Sequence, residues 1–275
     1  MPDAGTGPGY REHAASPELA RYVECYWTFR CRVDPAGEEV TRVLPDGCMD
    51  LLFSLAEPPR GPGGVSTGPT LVGTMTQPAT VTRSGEVDLV GVRCRPAGAA
   101  AFVEVLASTL TDGVVPLDAV WGPAAQSLWE RLGETATPGE RITILDRELQ
   151  RRLGAARRLD DAVLHASEVL AARRGGVSVD DLATAAGLGR RQLERRFLAV
   201  VGLPPRTACR VARFRGAVAR LHANPSESLV RIALATGYHD QPHFTREFRT
   251  LAGVPPGAYR RSLSGVPRDA FVQDA

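Results

Sequence analysis

The sequence has 275 residues, 43% of them hydrophobic and 23% charged, with a formal net charge of +2. Such a composition belongs to an ordinary globular chain, long enough for two domains with a core in each. No apolar run approaches the ~18–20 residues of a membrane span; the polar, Gly/Pro-rich start from Met1 to Tyr10 lacks the order of a signal peptide, so the expected compartment is the cytoplasm.

The small net charge hides an asymmetry. Residues 1–150 carry 12 Arg against 20 Asp/Glu, a net of −8, whereas residues 151–261 carry 20 Arg against 9 Asp/Glu, a net of +11. An acidic half followed by a basic one is the footprint of a nucleic-acid module attached to something else. All 33 basic residues are arginine, which a GC-rich coding background explains by itself. The five cysteines (Cys25, Cys31, Cys48, Cys94 and Cys209) are an odd number, which argues against a disulfide framework.

In chain order, residues 21–29, 49–55 and 87–92 read as strands, rich in aromatic and β-branched residues. Glu57 to Gly68 reads as a flexible loop. After Pro96 the pattern turns helical: Ala97 to Leu106, Pro123 to Leu132 and Pro138 to Leu153 each begin near a proline. Gly154 to Arg158 reads as a joint, and Asp160 to Arg174 as a helix stopped by Gly175-Gly176. The expected fold class is therefore α+β in two domains: a small β-rich domain with helices over 1–155, then an all-α domain over 160–263.

The second domain contains an internal repeat. Asp181 to Leu188 is echoed by Arg231 to Tyr238 at an offset of 50, and Arg195-Arg196-Phe197 with Gly202-Leu203-Pro204-Pro205 by Arg246-Glu247-Phe248 with Gly253-Val254-Pro255-Pro256 at 51. In the first copy Ser178 caps a short helix with Leu182, Ala185 and Ala186 on its apolar face, and Gly187 makes the turn. Arg190 to Val200 follows, with Leu193, Phe197 and Val200 on one stripe and an arginine-rich front. The second copy matches it through Ile232, Ala235, Gly237, Phe244 and Phe248. Thr207 to His222 reads as an amphipathic helix joining the units, which span 178–201 and 228–251. Two helix-turn-helix units on one linker can present recognition helices to successive major grooves, on the order of 34 Å apart.

Residues 160–263 resemble the DNA-binding domain of the AraC/XylS family. The resemblance rests on Leu-Ala-x-x-Ala-Gly in the first unit, and on Ile-Ala-x-x-x-Gly-Tyr then Phe-x-Arg-x-Phe-(x)4-Gly-x-x-Pro-x-x-Tyr-Arg in the second. It implies a non-enzymatic, sequence-specific transcription factor whose partners are double-stranded DNA and RNA polymerase. With the helix faces, it makes Arg191, Glu194 and Arg195, and Gln241, His243 and Arg246, the candidates for base edges. Arg190, Arg196 and Thr245 become candidates for phosphate contacts. Pro242 departs from the family pattern, so the two units are not expected to read DNA alike. His239 and His243 stand four apart, a zinc-compatible spacing, but no third ligand is near and no metal is expected.

The first half resembles a sensor-type domain found ahead of this DNA-binding unit, through Leu44 to Leu51 and Gly91 to Pro96. That resemblance implies a cupin-like domain that binds a small effector, forms a homodimer, or does both. Trp27, Asp46, Cys48, Asp50, Arg93 and Arg95 are the candidate effector-pocket residues; turn caps and ion pairs are the plainer account of the charged ones. The half has one histidine, His13, so no cupin metal set is present and no cofactor is expected. Two rival readings stand: a DNA-repair or thiol-sensing protein using its cysteines, and a ligand-independent activator whose first half only dimerises. Serine-hydrolase, P-loop and dinucleotide signatures are absent.

Overall fold

The computed structural model describes residues 9–34, 37–61, 64–65, 68–155 and 159–263. Its strands are β1 Tyr10–His13, β2 Val23–Arg32, β3 Glu39–Val43, β4 Met49–Ser54, β5 Arg60–Gly61, β6 Gly64–Val65, β7 Thr70–Val72, β8 Ala79–Arg83, β9 Glu86–Cys94 and β10 Val114–Pro116. They form two antiparallel sheets, a large one of order β1-β2-β9-β4-β7-β10 and a small one of order β3-β8-β5-β6.

Successive strand residues face opposite sides, so the large sheet has two unlike faces. Tyr26, Leu51, Phe53, Val90 and Val92 pack on one side with Trp121, Leu128, Leu132, Leu145 and Leu149. These last belong to helices α1 Asp118–Trp121, α2 Pro123–Gly133 and α3 Pro138–Ala155. Each such side chain contributes roughly 1.5–3 kcal/mol when fully buried. Polar contacts fix the register of helices on sheet: Trp129 Nε1 donates to the Ser54 carbonyl at 2.6 Å, and the Tyr26 hydroxyl to Asp146 at 2.9 Å. Trp27, Phe29 and Leu89 cluster with Tyr10 on the opposite face, toward the small sheet.

The expected helix over Ala97 to Leu106 is not formed. The segment makes a 3-10 turn at Gly98–Ala101 and another at Ala107–Thr109. Alanine favours helix, but Ala99, Ala101, Phe102 and Val103 are all buried, which leaves no polar face for a surface helix. Glu57 to Gly68 is not wholly loop, since β5 and β6 fall within it as a two-residue-strand hairpin at the sheet edge, where Gly and Pro are tolerated. Residues 156–158, most of the expected joint, lie outside the described residues.

The helical part comprises α4 Asp161–Ala172, α5 Val179–Ala185, α6 Arg190–Val201, α7 Pro205–Ala223, α8 Leu229–Ala235, α9 Gln241–Ala252 and α10 Pro256–Leu263. Its core gathers Leu193, Phe197, Phe214, Ile232, Phe244, Phe248 and Tyr259, with Phe214 and Phe248 ring centroids 5.0 Å apart. Leu44 and Ala97 from the strand-bearing part join the same core, so the two parts share buried surface. The first helix of each unit buries Leu182 with Ala183, and Ile232 with Ala233; Ala185 and Ala235, expected on the apolar face, are exposed. The apolar stripe of α6 runs Leu193, Phe197, Val201, one residue beyond the expected Val200.

Candidate nucleic-acid interface and sensor cavity

Each helix-turn-helix unit starts from a side-chain cap. Ser178 accepts from the Asp181 amide at 3.0 Å, and Ser228 from the Arg231 amide at 3.3 Å. Gly187 and Gly237 turn the chain at φ 64° and 82°. Asp240 caps α9 by accepting from the His243 amide at 2.6 Å. Pro242 sits within the first turn of α9, where no intrahelical donor is required, so it does not disturb the recognition helix.

Ion pairs divide the arginines of this region into two sets. Arg210 and Arg213 meet the buried Glu247 at 2.8 and 3.7 Å, tying α7 to α9. Arg220 pairs with Glu227 at 2.6 Å. Arg196, expected at phosphate, donates to Asp160 at 2.7 Å and anchors the start of α4, where Asp160 also caps the Val163 amide. Those contacts, with the Arg196 guanidinium, hold the Asp160 carboxyl below the usual carboxylate range against its partial burial. Arg190 lies between Asp180 and Glu194, both at 3.2 Å. By contrast Arg191 and Arg195 on α6, and Arg246 and Arg249 on α9, are exposed and make no salt bridge among the described residues. Gln241, His243 and Thr245 are half-buried at the start of α9; the His243 ring packs 5.4 Å from that of Tyr238, with Nε2 3.8 Å from Glu247. Each recognition helix thus shows a front of uncommitted guanidinium groups, which suit phosphates and guanine edges.

The face of the large sheet that carries Trp27 looks across a cavity of about 170 Å³ to the small sheet. Trp27, Asp46, Cys48, Asp50 and Arg93 line it together; Arg95 does not, and instead donates to the Ala20 carbonyl at 2.9 Å on the surface. Arg93 is 3% exposed and lies 3.4 Å from Asp46, 3.5 Å from Asp50 and 3.6 Å from Glu12. Burial pushes the Asp50 carboxyl up to about 6 against the pull of Arg93. Burial likewise raises the Cys48, Cys94 and Cys209 thiols, and Cys25 to about 12, which opposes thiolate chemistry at these four. Among the described residues no group of three His, Cys, Asp or Glu is placed to hold a metal ion.

Three further features escaped the sequence reading. Arg83 is 1% exposed and lines the cavity from β8, a strand whose polar, β-branched alternation (Ala79, Thr80, Val81, Thr82, Arg83) was the available signal. Glu24 on β2 pairs with Arg215 on α7, accepting from Nη1 at 3.2 Å and from Nη2, and receives the Cys48 thiol at 3.4 Å. The turn from β7 to β8 touches both recognition helices. A Cβ built on Gly202, the left-handed C-cap of α6, would stand 2.5 Å from Thr74 Oγ1; on Gly253, the equivalent cap of α9, it would stand 3.4 Å from Pro78. Thr111 adds a hydrogen bond to the Gly202 carbonyl at 2.6 Å.

Two capped units joined by α7, each with a basic recognition helix, define a double helix-turn-helix DNA-binding domain. Residues 182–262 match a helix-turn-helix domain family, and residues 11–116 a family described as a domain of unknown function (DUF6597). The HTH-type transcriptional regulator MtrA of Neisseria gonorrhoeae is 33% identical over 84 residues, which are 30% of this chain and 28% of that protein, so the match spans under a third of the relative's length. An AraC-type regulator structure from Chromobacterium violaceum is 30% identical and covers 38% of this chain and 94% of its own, with a TM-score of 0.35. ToxT of Vibrio cholerae, 12% identical, covers 87% of this chain and 99% of its own with a TM-score of 0.50, a likeness of two-domain fold. The C-terminal end of the chain, residues 182–262, carries an AraC-type helix-turn-helix domain.

Proposed function

We propose that the chain is a sequence-specific transcription regulator in which residues 160–263 read two successive major grooves and residues 1–155 sense a small effector. Double-stranded DNA is its principal partner, and it catalyses no reaction. The observation that carries the sensing half is the β7–β8 turn. Gly73, Met75 and Ala79 line the cavity, while Thr74 and Pro78, between them, meet the caps of α6 and α9. An occupant pressing on one side of this turn bears on both recognition helices from the other. To act as a switch it must bind one arrangement of those helices better than another.

Selection of bound DNA from a random pool tests the reading half. Two short half-sites about one helical turn apart, on the order of 10 base pairs centre to centre, are expected from a single chain. Enrichment of a single half-site, or of none, would remove the two-groove reading.

A further inference from the structure

We propose that the cavity takes a small monocarboxylate with a compact apolar body, its carboxylate paired with Arg83. The inference rests on the effector reading above and assigns the ligand's chemistry. Along β8, Ala79, Val81 and Arg83 face the cavity. The Arg83 Nη2 donates to Thr41 and, at 3.3 Å, to Glu39 on the paired strand β3. Its Nε and Nη1 groups have no hydrogen-bond partner among the described residues, although the side chain is 1% exposed. The Phe29 ring, 4.6 Å from the guanidinium carbon, covers one of its faces. Unmet donors on a buried charged group are costly, and an anion reaching them from the cavity relieves that cost with charge-assisted hydrogen bonds.

Arg93 does not offer the same opportunity. Asp46, Asp50 and Glu12 already surround it, so an incoming anion there meets carboxylates. The charge balance also sets the ligand's own charge. One guanidinium, with Glu39 beside it and Asp50 on the same cavity, suits a monoanion better than a phosphate dianion. Val43, Val72, Met75, Val81, Leu89 and Val114 supply apolar wall. At about 170 Å³ the cavity falls below the roughly 300–1,000 Å³ of drug-sized sites, which selects a compact molecule.

Calorimetric titration of the full chain with phenylacetate and 4-methylpentanoate, each against its neutral amide, tests the assignment. The acids are expected to bind, with the amides weaker by about tenfold or more. Arg83→Gln is expected to bring acid binding down to the amide level. The comparison of acid with amide in the wild type does not depend on that variant folding. Equal binding of acid and amide, no binding of either acid at millimolar concentration, or undiminished acid binding by a folded Arg83→Gln protein overturns the proposal. The two layers separate in a gel shift. Amides that bind and alter DNA affinity leave the effector reading standing and remove the carboxylate, whereas acids that bind without altering DNA affinity do the reverse.

Discussion

Neutralising Glu24 should destabilise both parts of the molecule, because its partner sits on the linker helix of the other part. Glu24 accepts from two nitrogens of Arg215 and from the Cys48 thiol, and each member of the ion pair keeps 21% of its side-chain surface. Breaking a fully buried ion pair by removing one partner costs roughly 3–5 kcal/mol, since the other charge is left uncompensated. With a fifth of each side chain still hydrated, we expect about 2–3 kcal/mol for Glu24→Gln or Arg215→Met alone. The double variant Glu24→Gln/Arg215→Met leaves no stranded charge and should recover most of that loss. The assay is denaturant unfolding followed by tryptophan fluorescence. All three tryptophans (Trp27, Trp121 and Trp129) precede α4, whereas Arg215 lies in α7. Arg215→Met must therefore lower the midpoint of a transition reported only from the other part. An unmoved tryptophan transition, or single-variant losses that add to within ~0.5 kcal/mol in the double variant, would refute the coupling.

The remaining expectations are narrower. Gly202→Ala should cost more than Gly187→Ala: both positions have positive φ, worth about 1–2 kcal/mol to an L side chain, but nothing lies within 4 Å of a Cβ at Gly187 and Thr74 lies 2.5 Å from one at Gly202; equal losses would deny the close approach. Arg196→Ala should lower thermal stability by about 1 kcal/mol, a modest figure for a half-exposed pair, and weaken DNA binding less than Arg195→Ala; the reverse order in a gel shift would return Arg196 to the phosphate contacts. The folded state of Asp50 holds its proton up to about 6, against an ordinary value of 3.8, so its contribution to stability falls as pH rises through that window. Glu24 has the opposite sign: its carboxyl is held below 4.5, so its contribution is full above that pH and is lost as pH falls below it. Stability measured against pH should lose the falling limb in Asp50→Asn and the acid-side loss in Glu24→Gln; unchanged profiles would contradict these environments.

The helical domain was largely legible in the sequence because its determinants are local and repeated. Ser178 and Ser228 cap, Gly187 and Gly237 turn, and Phe197 and Phe248 anchor the recognition helices at matching offsets. What the sequence hid there is which arginines are spent on structure. Arg196 and Arg191 look alike in a helical projection, and only the approach of Asp160, 36 residues away, tells them apart. The strand-bearing domain was harder for a physical reason. Its short strands β3, β7, β8 and β10 run three to five residues and pair with partners distant in the chain, so periodicity has little length in which to show. Ala97 to Leu106 has helix-forming composition, but the segment is consumed by core packing against the large sheet. The pairing of Asp46 and Asp50 with Arg93 follows a recognisable cluster of charged residues near strand ends, whereas Arg83 becomes meaningful only when the small sheet closes the cavity.

A regulator with two such units in one chain must read two different half-sites, one with each recognition helix. Gel shifts should pair Arg195→Ala and Arg246→Ala with operators mutated in one half-site or the other. We expect each substitution to cost about 1–3 kcal/mol on the intact operator and to become silent only when its own half-site is already mutated. Coupling of both substitutions to the same half-site, or of neither to any, would contradict the two-unit reading.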